Sequence, residues 1–239
     1  QSQDRLRALT RELNLAEHPY LQVRPEKKLL VVVITSDKGL CGAFNSNLLN
    51  LAASFINEKG KDSQLALIPI GKKAVNFSRN FSWPVAISYS DGVEKKITAI
   101  SQNLSRYFDY EFTRQNVDAI YLIYNEFRSV LAPRLTATRL LPLVADLSGR
   151  SAEHLEPIWE QEASTMISYL LKFYLKSQLE HVLFESQVAE QAARMMAMEN
   201  ASRNAKELIS SLVLLLNKMR QAAITKELLE IQTTVEALR

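Results

Sequence analysis

The chain has 239 residues, 47% hydrophobic and 23% charged, which is enough apolar material for a sizeable core and an ordinary charge content for a globular fold. A formal net charge of +3, spread along the chain, is too small to mark a nucleic-acid surface, where basic residues gather on one face. The single cysteine, Cys41, reads as a small buried thiol; no Cys/His set has metal-ligand spacing, and no apolar run approaches the ~20 residues of a membrane span or resembles a secretion signal.

The sequence opens at Gln1 rather than a methionine and is read as processed or incomplete there. Leu6, Leu9 and Leu13 recur at helical spacing until His18-Pro19 stops the pattern, so residues 1–19 are expected to be the end of a helix. Residues 20–150 then alternate short apolar runs with amphipathic stretches, the signature of an α/β body. Leu29 to Ile34 is continuously apolar and reads as a strand buried on both faces. After a turn at Gly39 and Gly42, Asn45 is the expected cap of a helix with a stripe of Leu48, Leu49, Ala52, Phe55 and Ile56, ended by Gly60. A strand at 65–70, a short helix at 72–78 and a third short strand at Val85 to Ile87 follow. Val93, Ile97, Ile100, Leu104 and Phe108 predict a helix, and Ala119 to Tyr124 another buried strand, with the alternation holding to about Leu143.

Residues 151–239 differ. After Gly149 there is no glycine and after Pro157 no proline, so nothing breaks a helix that at 1.5 Å per residue would reach about 120 Å and must project from the body. Ala205, Leu208, Leu212, Leu215 and Met219 form one heptad-like seam, and Ile224, Leu228, Ile231, Val235 and Leu238 a second. The five-residue step from Met219 to Ile224 shifts the phase across Arg220-Gln221-Ala222-Ala223. Seams call for a partner helix, and residues 1–19 are too few to cover this one.

Catalytic chemistry finds little support. The loop after Ile34 sits where α/β proteins place ligands, but neither the dinucleotide pattern nor the P-loop ending is present, so a turn that packs against a neighbour is preferred. His18, His154 and His181 fall in a loop, a linker and the long helix without an evident nucleophile to serve. Glu227 and Glu230 lie three apart on an exposed helix, and Met195, Met196 and Met198 read as contact surface. No catalytic, cofactor or metal residue is assigned.

Three segments carry a family resemblance. Ile34-Thr35-Ser36-Asp37-Lys38-Gly39-Leu40-Cys41-Gly42-Ala43-Phe44-Asn45-Ser46-Asn47 resembles the stretch after the first strand of γ subunits of F-type ATP synthases. Tyr124-Asn125-Glu126-Phe127-Arg128-Ser129 is similar to a strand end of that family, and residues 190–201 and 217–228 resemble its C-terminal helix almost residue for residue. The resemblance implies a small Rossmann-like α/β body plus a very long C-terminal helix forming half of an antiparallel coiled coil, with most of the N-terminal helix absent. It implies a non-catalytic rotor shaft whose partners are the α and β subunits, the ε subunit and the membrane c-subunit ring. Location would be the cytoplasmic face of a bacterial plasma membrane, ahead of a mitochondrial matrix or chloroplast stroma face. It assigns Arg220, Gln221 and Thr225 to contact with β, and Leu208, Leu212, Leu215, Met219, Ile224, Leu228 and Ile231 to the seam. The family's small Gly-Gly-Ala stretch after Ile231 is replaced here by Gln232-Thr233-Thr234-Val235, a stiffer helix end. No cysteine pair for a redox switch is present. A coiled-coil adaptor with an α/β head is the alternative, and a flavodoxin-like enzyme using the Asp37 loop a third reading.

Overall fold

The computed structural model describes residues 18–80, 83–129, 133–143 and 163–237; the helix expected over residues 1–19 and His154 lie, apart from residues 18 and 19, outside them. Strand β1 (Lys28–Ile34) leads to helix α1 (Phe44–Lys59), strand β2 (Gln64–Ile70) and helix α2 (Lys72–Ser78). Helix α3 (Ile97–Thr113), strand β3 (Ala119–Glu126), strand β4 (Arg134–Leu141) and helix α4 (Ala163–Ala237) follow.

The sheet order is β2-β1-β3-β4. β1 pairs in parallel with β2 and with β3, and β4 closes the sheet antiparallel to β3. β1 is buried on both faces because α helices cover both, which explains its unbroken Leu-Val-Ile composition. Leu29, Val31 and Val33 point to one face with Leu48, Ala52 and Ile56 of α1 and Ala74 of α2. Leu30, Val32 and Ile34 point to the other, with Ile100, Leu104 and Phe108 of α3 and Leu171, Leu175, Leu179 and Leu183 of α4. The first stretch of α4 is therefore core.

Several expectations are corrected by local geometry. Asn45 does not cap α1: Ala43 is the N-cap and makes no side-chain cap bond, while Asn45 sits in the first turn and holds Ser36. Gly60 does end α1, but with φ −73 it needs no left-handed backbone; a Cβ there would come within 2.5 Å of the Trp83 ring. Val85 to Ile87 is not a strand, since only single bridges link Val85 to Leu67 and Tyr89 to Ile70. The helix predicted from Val93 begins at Ile97, after a separate 3-10 turn at Val93–Lys95. β4 was not predicted as an element, because Arg134-Leu135-Thr136-Ala137-Thr138-Arg139 has little apolar signal, and at the sheet edge these residues are exposed or half-buried.

The chain divides into two compact units, the first running to Arg194 and the second from Met195 to Arg239. The expected boundary near residue 150 thus falls short of the last body residue by the part of α4 that packs on the sheet. The second unit is helical through Ala237 in one uninterrupted run.

Gly71 is where the fold depends on a missing side chain. Its φ is +92, and an added Cβ would meet the Thr35 carbonyl oxygen at 2.2 Å. Gly71→Ala is expected to cost about 3 kcal/mol or more, from the backbone conformation and the clash together, read as a lower urea midpoint at unchanged m value.

Candidate functional site

The chain leaves β1 at Thr35, which is buried and ties the strand ends together. Its hydroxyl donates to the Ile70 carbonyl at 3.1 Å and accepts the Ala74 N–H at 2.8 Å. Ser36 follows, and its N–H donates to Asn45 Oδ1 at 3.1 Å while Asn45 Nδ2 donates to Ser36 Oγ at 2.7 Å and to Cys41 Sγ at 3.1 Å. Asp37 accepts backbone N–H groups from Lys72 at 3.0 Å, Gly92 at 2.9 Å, Val93 at 3.1 Å and Asp91 at 3.3 Å. One carboxylate thus joins the β1–α1 loop to the start of α2 and to the turn before α3. Leu40 and Gly42 take left-handed φ values of 63° and 58°, which turn Cys41 inward. There Cys41 and Phe44 pack with Ala189 of α4, and with Phe127 and Ala193 beside them.

This loop lies beyond the carboxyl end of β1, between β2 on one side and β3 on the other, the switch point at which open α/β sheets bind ligands. Here the position is taken by protein. Asp37 is committed to backbone amides, and α4 contributes Leu183, Ser186, Gln187 and Glu190 to the wall of a small cavity beside Ile34, Asp37, Lys38 and Glu94. The loop serves as a socket for α4. Arg194 lies at its rim, donating from Nε to the Gly39 carbonyl at 3.4 Å and from Nη2 to Glu190. Burial pushes the Glu190 carboxyl above the usual carboxylate range, with Glu94 and Asp37 adding to the shift and Arg194 opposing it. Burial likewise raises the Tyr124 hydroxyl, to about 12, helped by Glu185 and Glu126.

The remaining candidates lie elsewhere. His181 is exposed and faces Glu185 at 3.7 Å, and Lys226 pairs with Glu230 at 3.8 Å on an exposed face. Among the described residues no group of His, Cys, Asp and Glu could hold a metal ion, and no helix is long and apolar enough to cross a membrane. In the second unit Arg220, Gln221 and Thr225 are all exposed, and the Thr225 hydroxyl donates to the Gln221 carbonyl at 2.9 Å. Gln221 and Thr225, four apart, share a face; Arg220 is turned about 100° from Gln221. The proposed seam is exposed as well: Leu208 60%, Leu212 54%, Leu215 53%, Met219 64%, Ile224 50%, Leu228 61% and Ile231 61%.

The sequence reading missed a second line of side chains. Ile209 is 60% exposed, Val213 50% and Leu216 66%, and these lead by steps of three and four through Arg220 to Ile224, Leu228, Ile231 and Val235. The helix from Leu208 to Met219 therefore has apolar stripes on two sides, of which one continues and carries Arg220 within it. The run Leu212-Val213-Leu214-Leu215-Leu216 is the signal from which both stripes could have been read.

Comparisons with known proteins agree with this geometry. The profile of the ATP synthase family matches residues 1–238. An ATP synthase gamma chain from Chlorobium limicola is 35% identical over 98% of this chain and 82% of its own length, and one from Chlorobium chlorochromatii is 37% identical with the same coverage. Among solved structures, a chain of the Tetrahymena thermophila mitochondrial ATP synthase central stalk and c-ring is 27% identical with a TM-score of 0.58, covering 84% of this chain and 96% of that one. A chain of the Euglena gracilis mitochondrial ATP synthase, 20% identical with a TM-score of 0.63 over 99% of this chain and 86% of that one, shares the fold.

With the switch point filled by α4 and Asp37 committed, calorimetry with ATP, ADP and NAD is expected to show no heat of binding. A micromolar dissociation constant abolished by Asp37→Asn would overturn this. Asp37→Ala should instead lower stability by about 1–3 kcal/mol, as its amide partners lose their acceptor.

Proposed function

The chain belongs to the ATP synthase γ family, and on that premise we propose that it is the central rotor shaft of a proton-translocating F-type ATP synthase. Its work is to couple rotation of the membrane c-ring to ATP synthesis or hydrolysis in the β subunits. The observation that carries this reading is α4: one 75-residue helix whose first stretch is core of the α/β body and whose remainder exposes apolar side chains. An exposed apolar stripe on a helix needs a partner to cover it.

In this role the chain is non-catalytic, and the socket supports that, since its one carboxylate at the switch point accepts backbone amides. Its partners are the α and β subunits around the helix, and the ε subunit and c-ring at the body; it meets no nucleic acid and reaches the membrane only through those partners. The natural setting is the cytoplasmic face of a bacterial plasma membrane, in keeping with the bacterial relatives. An asymmetric helix turning inside a ring of catalytic subunits works by contacting each conformation differently, and that difference is the coupling free energy. No observation favours the coiled-coil adaptor over this reading.

Leu208, Leu212, Leu215, Met219, Ile224, Leu228 and Ile231 are proposed as the seam for an antiparallel partner helix. Arg220, Gln221 and Thr225 are proposed as the contact with β, and each hydrogen bond lost there should cost about 1–3 kcal/mol. Two outcomes are expected. First, amide exchange over 203–235 should be fast in the isolated chain, because a helix this exposed gains little from packing, and should slow when a complementary helix is supplied; unchanged rates would mean that the seam faces something else. Second, Arg220→Ala with Gln221→Ala in the assembled enzyme should reduce ATP-driven proton pumping or retention of the subunit. Wild-type values of both would remove these side chains from the coupling contact.

A further inference from the structure

Glu190 lies one helical turn before Arg194, the last residue of the first unit, and its side chain is only 16% exposed. It borders a cavity of about 30 Å³, room for little more than one water. Carboxylates from three elements line that cavity: Asp37 from the β1–α1 loop, Glu94 from the turn before α3, and Glu190 itself. Lys38 is the one cation among the described residues of the cavity wall, and it is engaged with Glu94 at 3.0 Å. Asp37 is held by the amides of Lys72, Asp91, Gly92 and Val93. Arg194 is the cation paired with Glu190, and its guanidinium is shared with the Gly39 carbonyl and with Gln191 Oε1 at 2.9 Å.

We propose that Glu190 is a proton-operated latch on the last body-bound turn of α4: neutral, it lets residues 186–194 seat against the loop 36–42; charged, it loosens that seat. The cavity leaves little room for water beside the Glu190 carboxylate, and Asp37 and Glu94 line it as well. The direction of the proton effect follows from burial first, then from Glu94 and Asp37, which together outweigh Arg194 and raise the Glu190 carboxyl in the folded chain. A raised acid binds its proton more tightly when the seat is closed than when it is open. The grip is then complete below the ordinary glutamate range and is lost as pH rises through the raised value.

The test is hydrogen exchange of the full chain from about pH 5 to about pH 8, corrected for the intrinsic chemical rate, with β3 amides 119–126 as internal reference. In the wild type, protection of 186–194 and 36–42 should fall as pH rises, by at most about tenfold per pH unit, while β3 is unaffected. Glu190→Gln should keep high protection at every pH. Arg194→Gln should loosen the seat at the alkaline end and regain it at the acid end, and adding Glu190→Gln to it should restore protection throughout. If Glu190→Gln is instead loose at all pH values, the ion pair is the grip and the latch is overturned. A wild-type series with no pH dependence overturns it too, and that series needs no variant to fold.

Discussion

Everything in this molecule depends on how the second face of a small parallel sheet is kept from water. Leu30, Val32, Ile34, Ile120 and Leu122 present an apolar surface that α3 alone does not cover, and α4 completes the layer with Ile167, Leu171, Leu175, Leu179, Val182 and Leu183. At roughly 25 cal/mol per Å² of apolar surface buried, a helix face of leucines is a major share of what holds such a body together. The rotor's long helix is thus a structural member of the body that carries it, and removing it would expose a core.

The socket follows from that packing. Once α4 lies across the sheet, its continuation meets the loop at the carboxyl end of β1, the position where a related topology would hold a ligand. The loop is built to receive it: Asp37 pins its base, Asn45 braces Ser36 and Cys41, and the small side chains Ala189 and Ala193 let the helix approach Cys41 and Phe44. A ligand loop would leave converging N–H groups free, whereas here Asp37 accepts the amides within reach. The loop position at which open α/β sheets bind ligands here holds a helix.

Beyond Arg194 the physics changes. Residues 195–235 have almost no buried side chain of their own, and the stripe that includes Ile209, Val213, Leu216, Ile224 and Leu228 is broken by Arg220. In the proposed role, a lone cation in an apolar line would be costly to bury and would act on register or partner choice, as polar residues in coiled-coil seams do.

Much of this was legible in the sequence because periodicity depends only on local geometry. The β-branched run at Leu29 to Ile34, the stripe from Ile97 to Phe108 and the absence of helix breakers after Pro157 each report an element directly, and the resemblance of residues 190–201 and 217–228 carried the family. What tertiary structure alone decided was who meets whom. Asn45 has the residue type of a cap, but its amide holds Ser36; β4 left no signal because an edge strand needs little apolar patterning; and nothing in the spacing around Glu190 announces Asp37 and Glu94, which line the same cavity from residues far away in the chain. Side-chain spacing records which face of an element is buried, but pairing between distant elements is fixed by the shape of the packed core, and a spacing rule does not contain it.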